Sequence, residues 1–236
     1  MSSVATVTID RKERRNAIDV ATCVRLTDEL RAAAAGGARV LVLTGAGEHF
    51  CAGADLSLIF GTELSAAIRE LLNAITGLPI PVIAAVRGAA LGAGTQVAMA
   101  CDLRVVEPTT RFGIPAAKLG VMVDEWTVRR LSQLAGPGPA RAVLLAGDEL
   151  DAEAALRLGF AHRAGDLAAA QAWAAGIARL APLSVQGHKQ MLNEVEGVPS
   201  LPGAGAAAYE RAWASADARE GLAAFRERRR PEFGGA

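Results

Sequence analysis

The sequence predicts an α/β core of buried parallel strands followed by a helical C-terminal region. Apolar runs typical of strands occur at 4–9, 40–44, 81–86 and 103–106, and the last three are apolar enough to be buried on both faces. Segments with helical spacing lie between them, as expected for parallel strands joined by crossover helices. From residue 125 onward helical patterns dominate.

In the N-terminal part, residues 4–9 are β-branched and alternate in polarity, which favours a strand. Residues 19–35 show helical spacing and end at a glycine pair. The apolar run 40–44 ends at a glycine and predicts a strand. Residues 64–76 predict a second helix, which is again closed by a glycine.

The middle of the chain contains two further predicted strands, 81–86 and 103–106. Between them, residues 88–100 switch to small side chains and include Gly92 and Gly94. This pattern predicts a short strand, a tight turn and the start of a helix.

The rest of the chain is predicted to be helical. Pro182 interrupts a helical pattern, so we expect a core domain at 1–180 and a helical region at 181–236. The predicted helices are 125–135, 137–146, 151–158, 167–180 and a tail from 182 to 230 that breaks near 198–205.

The composition excludes several classes of function. Lys plus Arg number 25 and Asp plus Glu number 25, so no charge excess indicates nucleic acid or an anionic membrane as a partner. The longest uncharged stretch, between Glu70 and Arg87, has 16 residues, fewer than the roughly 18–20 of a bilayer span. The first residues show no signal-peptide pattern. We therefore expect a soluble, cytoplasmic protein.

The thiols and imidazoles give no indication of a metal site. Three cysteines form no CxxC pair, which fits free thiols in a reducing cytosol better than a disulfide scaffold or a zinc ribbon. Each histidine is isolated from other ligand-type residues, so surface or hydrogen-bonded core roles are favoured over metal binding. The residues concerned are Cys23, Cys51, Cys101, His49, His162 and His188.

Two glycine-rich segments follow predicted buried strands, at 45–56 and 88–97. A dinucleotide fingerprint would need glycine where Val97 stands, and no phosphate-loop lysine follows. The remaining interpretation is a turn and a helix start at which small side chains leave the backbone uncovered. Its N–H groups can hold a developing oxyanion, or the glycines only permit close packing. Two such loops after parallel strands would place two amides around one carbonyl oxygen.

Ordered motifs extend over nearly the whole chain. They occupy 13–18, 43–47, 50–56, 84–94, 100–104, 112–115, 119–120, 130–131, 159–160 and 225–233. Together they resemble the crotonase superfamily, the enoyl-CoA hydratase/isomerase family, and the AGADL block at 52–56 is the most specific of them.

The resemblance implies a crotonase-like spiral of ββα turns with a C-terminal helical trimerisation region. It also implies a homotrimer or dimer of trimers, and acyl-CoA as ligand or substrate with no other cofactor. By position, the backbone amides of Ala54 and Ala93 are implied to form the oxyanion hole, in which each donor is worth about 2.7–4 kcal/mol of transition-state stabilisation.

The same resemblance implies an entrance for the CoA moiety. Many members have lysine where this chain has serine at 57, so a phosphate contact there is not implied. The arginine-rich run 226–230 either meets CoA phosphates or is a solvated helix end. The residues implied to line the entrance are Arg14, Gly53, Asp55, Leu56 and Ser57.

The chain departs from the family at the catalytic positions. Hydratases of this family use two glutamates to hold and deprotonate water, and those positions are Gln96 and Ala116 here. A carboxamide takes no proton at neutral pH, and alanine has no acid–base chemistry. Because each positioned acid or base contributes about 10²–10⁴-fold, we expect binding and polarisation without efficient hydration.

Asp124 and Glu125 follow in a segment where hydratases have a glycine-rich turn. Asp124 either caps a helix that begins at Glu125 or shuttles protons, as carboxylates on other loops do in other crotonase branches. Val123, Trp126 and Ala116 are expected to line the acyl pocket, although Trp126 also suits core packing. These features resemble an actinobacterial branch that binds long-chain acyl-CoA without hydrating it.

Two functional hypotheses follow. The first is an acyl-CoA-binding protein of fatty-acid or lipid metabolism without efficient hydratase activity, with a lipid-synthesis protein as an expected partner. The second is an active enoyl-CoA hydratase or isomerase with Asp124 or Glu125 as acid or base. The sequence disfavours a third hypothesis, an unrelated nucleotide-binding domain, because both phosphate-binding motifs are absent.

Overall fold

The computed structural model describes residues 3–55, 62–197 and 204–236, without the side chains of 204–206, 209, 213, 222, 225 and 226. Its strands are β1 (Val4–Ile9), β2 (Val40–Gly45), β3 (Val82–Val86), β4 (Ala89–Leu91), β5 (Leu103–Val106), β6 (Arg111–Gly113), β7 (Glu149–Asp151) and β8 (Arg163–Ala164).

The helices lie between and after these strands. They are α1 (Val20–Ala35), α2 (Thr62–Gly77), α3 (Ala93–Ala100), α4 (Glu125–Ala135), α5 (Pro137–Arg141), α6 (Ala152–Arg157), α7 (Leu167–Ile177), α8 (Pro182–Val195), α9 (Ala204–Ala214) and α10 (Ala216–Glu227). Short 3₁₀ turns occur at Lys12–Arg14 and Pro115–Leu119, and a π-helical turn at Ala142–Ala146 follows α5.

The strands form two sheets. The larger is parallel throughout, in the order β1-β2-β3-β5-β8. The smaller has the order β4-β6-β7, with β4 and β6 parallel and β6 and β7 antiparallel. Because β3 leads into β4 through two residues, the chain passes directly from one sheet to the other. Each sheet then faces helices, as the α/β prediction requires.

The central strand β2 shows how the larger sheet is buried. All six of its residues are buried. Leu41 and Leu43 belong to a core cluster with α1 and α2, whereas Val40 and Val42 pack with the alanines of α7 on the other face. Since strand side chains alternate between faces, a continuous apolar run is needed to fill both layers.

The C-terminal helices contact the core of the same chain. Lys189 of α8 is buried, and its Nζ donates to Asp102 at 2.8 Å and to the carbonyl of Ile80 at 3.0 Å. Asn193 donates to the carbonyl of Thr76 at 2.9 Å. The domain boundary after residue 180 and the assembly into trimers stay predictions.

The predicted α/β fold class is confirmed, and so are the four longer strands. The three short strands β6, β7 and β8 were not predicted. The predicted helix 137–146 is a short α-helix followed by a π-helical turn. The predicted helix 167–180 ends at Ile177, where tighter backbone bonds take over, including Leu180 N to Ile177 O at 2.9 Å.

Candidate functional site

A buried asparagine holds the loop that follows β2. Asn16 has a left-handed backbone (φ 59°) and is completely buried. Its Nδ2 donates to the carbonyls of Ala46 at 2.8 Å and His49 at 2.6 Å, and its Oδ1 accepts from Arg11 N at 2.9 Å. The Asn16 side chain therefore donates hydrogen bonds to two loop carbonyls that are not paired within a sheet.

The next part of the loop packs against β4 and α3. Cys51 N donates to Ala89 O and Leu91 N donates to Cys51 O, both at 3.0 Å. A Cβ added to Gly94 would lie 2.0 Å from the carbonyl oxygen of Cys51. Only glycine permits this approach, so the packing interpretation of the glycine-rich segment is correct at Gly94.

Two further glycines bring the predicted oxyanion-hole segments together. Gly53 (φ 121°) and Gly92 (φ 53°) both have backbone angles that favour glycine. A Cβ added to Gly53 would lie 3.1 Å from Leu91 O, and one added to Gly92 would lie 4.0 Å from Gly53 Cα. Ala54 and Ala93 directly follow these two glycines in the chain.

The amides of Ala54 and Ala93 make no backbone hydrogen bond within the described ranges. Ile18 pairs with Gly53 O at 2.8 Å and with Asp55 N at 2.9 Å. In extended backbone the intervening amide of Ala54 therefore points away from Ile18. Ala93 is the first residue of α3, where N–H groups lack an intrahelical partner. Such amides can donate to a carbonyl oxygen.

Asp55 lies in an ion-paired cluster. Its Oδ2 is 3.4 Å from both terminal nitrogens of Arg11, which also lies 3.1 Å from Asp19 and donates to Ala17 O at 2.6 Å. Burial would raise the pKa of Asp19, but hydrogen bonds from Thr22 and the charge of Arg11 outweigh it and lower that pKa. Asp55 thus pairs with a cation of its own chain.

Among the other residues implied at the CoA entrance, the structure describes Arg14. Arg14 is exposed in the first 3₁₀ turn, while Leu56 and Ser57 lie outside the described residues. In the 226–230 run, Arg229 forms ion pairs with Glu220 at 2.5 Å and Glu227 at 2.6 Å, which favours a solvated helix end. The contact of this run with CoA phosphates stays a prediction.

Gln96 is joined to the start of α4 by a chain of hydrogen bonds. Its Nε2 lies 2.7 Å from Thr127 Oγ1, and that oxygen lies 2.5 Å from Asp124 Oδ1. Asp124 Oδ1 also accepts from Thr127 N at 3.0 Å, which confirms that Asp124 caps α4. Arg69 lies 3.7 Å from the other carboxylate oxygen.

The remaining predicted site residues lie between positions 116 and 126. Ala116 lies in the second 3₁₀ turn, and its carbonyl accepts from Val121 N at 3.1 Å. Glu125 is exposed in the first turn of α4. Ala116, Val123 and Trp126 are partly buried against the main core cluster. Core packing of Trp126 is therefore observed, and the acyl-pocket role of the three stays a prediction.

The three thiols and His162 take structural roles. Burial raises the pKa of Cys23, Cys51 and Cys101 to about 12. His162 Nδ1 accepts from Arg104 N at 3.1 Å, and desolvation together with the charge of Arg104 lowers the pKa of His162 to about 4. Over the described parts of the chain, no cluster of three or more metal-ligating side chains occurs.

Sequence reasoning missed two residues that position the site. Thr127 is completely buried and joins Gln96 to Asp124. Arg104, also buried, donates to the carbonyls of Ala98 at 3.1 Å and Cys101 at 2.8 Å, and so covers the C-terminal end of α3. Arg104 lies within the family motif at 100–104, whereas nothing in the sequence marked Thr127.

The glycine-rich loops, the start of α3 and the two-sheet α/β core agree with the crotonase class of protein that the sequence resembles. The Enoyl-CoA hydratase/isomerase family matches residues 1–236, and the chain belongs to that family. It is 47% identical over 235 residues to the "Probable enoyl-CoA hydratase echA6" of Mycobacterium tuberculosis (strain CDC 1551 / Oshkosh), covering 99% of this chain and 97% of the relative.

More distant members share both sequence and fold. The "2,3-dehydroadipyl-CoA hydratase" of Escherichia coli (strain K12) is 34% identical over 246 residues, covering 98% of this chain and 95% of that protein. The crystal structure of an "enoyl-CoA hydratase/ carnithine racemase" from Magnetospirillum magneticum superposes with a TM-score of 0.90 at 29% identity, covering 100% of this chain and 94% of that one. None of the helices within the described ranges is long and apolar enough to cross a membrane.

Proposed function

We propose that this protein binds fatty acyl-CoA thioesters in fatty-acid metabolism without hydrating them efficiently. The amides of Ala54 and Ala93 would hold the thioester oxygen. The observation that carries the proposal is that residues 96 and 116 have no carboxylate, while both amides lack a backbone partner among the described residues. No cofactor other than the acyl-CoA itself is involved.

The energetics separate binding from turnover. Each aimed amide contributes about 2.7–4 kcal/mol to an oxyanion, which supports thioester binding and polarisation. Hydration also needs a group that takes a proton from water, and a positioned acid or base is worth about 10²–10⁴-fold. The side chain of Gln96 supplies hydrogen bonds only, and the side chain of Ala116 supplies none.

The second candidate is an active hydratase or isomerase with Asp124 or Glu125 as acid or base. The names of the relatives favour it, and so does the hydrogen-bonded link from Asp124 through Thr127 to Gln96. Against it, Asp124 Oδ1 already accepts two hydrogen bonds from Thr127, so this oxygen has little capacity left for a substrate proton.

Turnover of enoyl-CoA and affinity for saturated acyl-CoA, measured on the same preparations, separate the two candidates. We expect saturated acyl-CoA to bind, with hydration about 10²-fold or more below that of a glutamate-bearing family member. Asp124→Asn and Glu125→Gln should leave the residual rate unchanged, as should the exposed control Glu153→Gln. Loss of turnover in either site variant, with affinity retained, would establish the second candidate.

The assembly and the cellular setting are further parts of the proposal. A homotrimer or dimer of trimers, and transfer of the acyl chain to a lipid-synthesis protein, would fit a binding function. The three cysteines are free and buried, which supports a reducing compartment, the cytoplasm. Light scattering coupled to size-exclusion chromatography measures the assembly, and a monomer would remove that part of the proposal.

A further inference from the structure

The hydroxyl of Thr95 closes the turn between β4 and α3. Thr95 is 1% exposed and lies in the first turn of α3. Its Oγ1 donates to the carbonyl of Ala90, five residues earlier in the chain, at 2.6 Å. Because Ala90 belongs to β4, this bond ties the start of the helix to the strand that precedes it. Ala93 lies inside the turn that the bond closes.

The same hydroxyl contacts β6. Gly113 N donates to Thr95 Oγ1 at 3.1 Å, and Gly113 O lies 2.8 Å from that oxygen. A hydroxyl carries one proton and two lone pairs, so Oγ1 can accept from Gly113 N while its proton is shared between the carbonyls of Ala90 and Gly113. All three residues are buried, so bulk water does not replace these contacts when the hydroxyl is removed.

Gly113 also holds the other side of Ala93. Gly92 N donates to Gly113 O at 2.8 Å, so residues 92 and 95 are both attached to Gly113 and the Ala93 amide lies between them. The peptide group is planar, and the direction of the Ala93 N–H therefore follows the ψ angle of Gly92, which is −116°. Glycine has little conformational preference of its own, so its surroundings must fix this angle.

We propose that Thr95 is a positioning residue that fixes the direction of the Ala93 N–H, and so sets how strongly the thioester carbonyl is bound and polarised. This inference rests on the proposed function, because the Ala93 amide acts on the ligand only if it holds the thioester oxygen. Thr95 acts through Ala93, since its hydroxyl is taken up by Ala90 and Gly113. Hydrogen bonds weaken steeply as their angle falls toward about 120°, so a modest rotation of the Ala93 peptide is enough to weaken the site.

Matched ligands isolate the contribution of the carbonyl. A saturated acyl-CoA and the S-alkyl-CoA of equal chain length, which has a methylene in place of the carbonyl, are titrated calorimetrically into the full chain. The wild type should prefer the thioester about tenfold or more, and Thr95→Val should reduce this preference about 3–10-fold, the range of one net hydrogen bond. Thr95→Ser should restore it. In infrared spectra of a ligand with a ¹³C-labelled carbonyl, the stretching band should move to lower frequency on binding, and less so in Thr95→Val.

A buried threonine elsewhere provides the matched control. Thr110 is completely buried and donates its hydroxyl to Val86 O at 2.8 Å. Thr110→Val should lose similar stability and keep the wild-type ligand preference and carbonyl band. If Thr95→Val does not fold, Thr95→Ala removes the same hydroxyl and takes its place. A folded protein without the Thr95 hydroxyl that keeps both the preference and the band would overturn the inference.

The direction of the Ala93 amide also has a readout without ligand. Residual dipolar couplings, measured by nuclear magnetic resonance in weakly aligned solution, report the direction of the N–H bond. The Ala93 coupling should be the same in the wild type, Thr95→Ser and Thr110→Val, and changed in Thr95→Val. If the wild type binds no acyl-CoA, or binds both ligands equally, the proposed function and the effect on binding both fail, while this coupling still decides the positioning role. An unchanged coupling in Thr95→Val would refute that role.

Discussion

Replacing Lys189 by methionine tests how the C-terminal helices are attached to the core. The Lys189 side chain is 5% exposed and Asp102 is 25% exposed. Lys189 Nζ contacts Asp102 Oδ2 at 2.8 Å, Ile80 O at 3.0 Å and Ile75 O at 3.3 Å. The Ile75 carbonyl belongs to the last turn of α2, where carbonyls lack helical partners and favour a cation.

The expected loss of stability follows from the groups that lose a hydrogen-bond donor. Methionine fills the space of the lysine stem but leaves two carbonyls and a carboxylate without their donor. Removal of one partner of a buried pair costs about 3–5 kcal/mol. Asp102 is partly exposed and keeps the N–H of Val82 at 2.7 Å, so we expect about 2–4 kcal/mol for Lys189→Met.

Urea denaturation followed by circular dichroism measures this loss. Lys12→Met is the matched control, because its side chain is 63% exposed, and it should change the free energy of unfolding by less than about 0.5 kcal/mol. Adding Asp102→Asn to Lys189→Met should cost less than the sum of the two single changes, since the orphaned charge is gone. A Lys189→Met protein as stable as the control would refute the reasoning.

Three further predictions concern pH, packing and catalysis. His162 has a folded-state pKa of about 4, below its unfolded value of 6.5; between these values only the unfolded chain binds the proton, so acidification destabilises the protein. Because part of the residue is exposed to solvent, we expect about 1 kcal/mol between pH 7 and pH 4, and His162→Gln should remove this slope from denaturation curves. Gly94→Ala puts a Cβ 2.0 Å from a carbonyl oxygen and should cost about 1–3 kcal/mol, whereas Gly138→Ala meets nothing within 4 Å and should cost none. The double change Gln96→Glu with Ala116→Glu should raise enoyl-CoA hydration by about 10² or more; a folded, ligand-binding variant with no gain would contradict the account of the lost activity.

The longer elements of the fold were predictable because their patterns are local. The buried run of β2 and the glycine stop of α1 each lie within a few residues of the element that they define. The short strands β6, β7 and β8 have two or three residues each, too few to show a period. They exist because β4, β5 and β6 offer edges for pairing, and such pairing is set by the tertiary fold.

The candidate site was predictable in position and less so in contacts. The glycines before Ala54 and Ala93 stood out in the sequence, and the structure places those glycines against each other. That Asp55 pairs with Arg11 was not predictable, since 44 residues separate them. The sequence left the cap and shuttle roles of Asp124 open, and the backbone at α4 confirms the cap.

By itself the sequence determined the order of the longer strands and helices, the membership in a family, and the absence of a carboxylate at residues 96 and 116. These are properties of residue identity and local periodicity. Only the tertiary structure decided that the Gln96 side chain donates to Thr127, because Thr127 is 31 residues away on another helix. Hydrogen-bond direction depends on which groups meet in space, and a linear pattern does not carry that information.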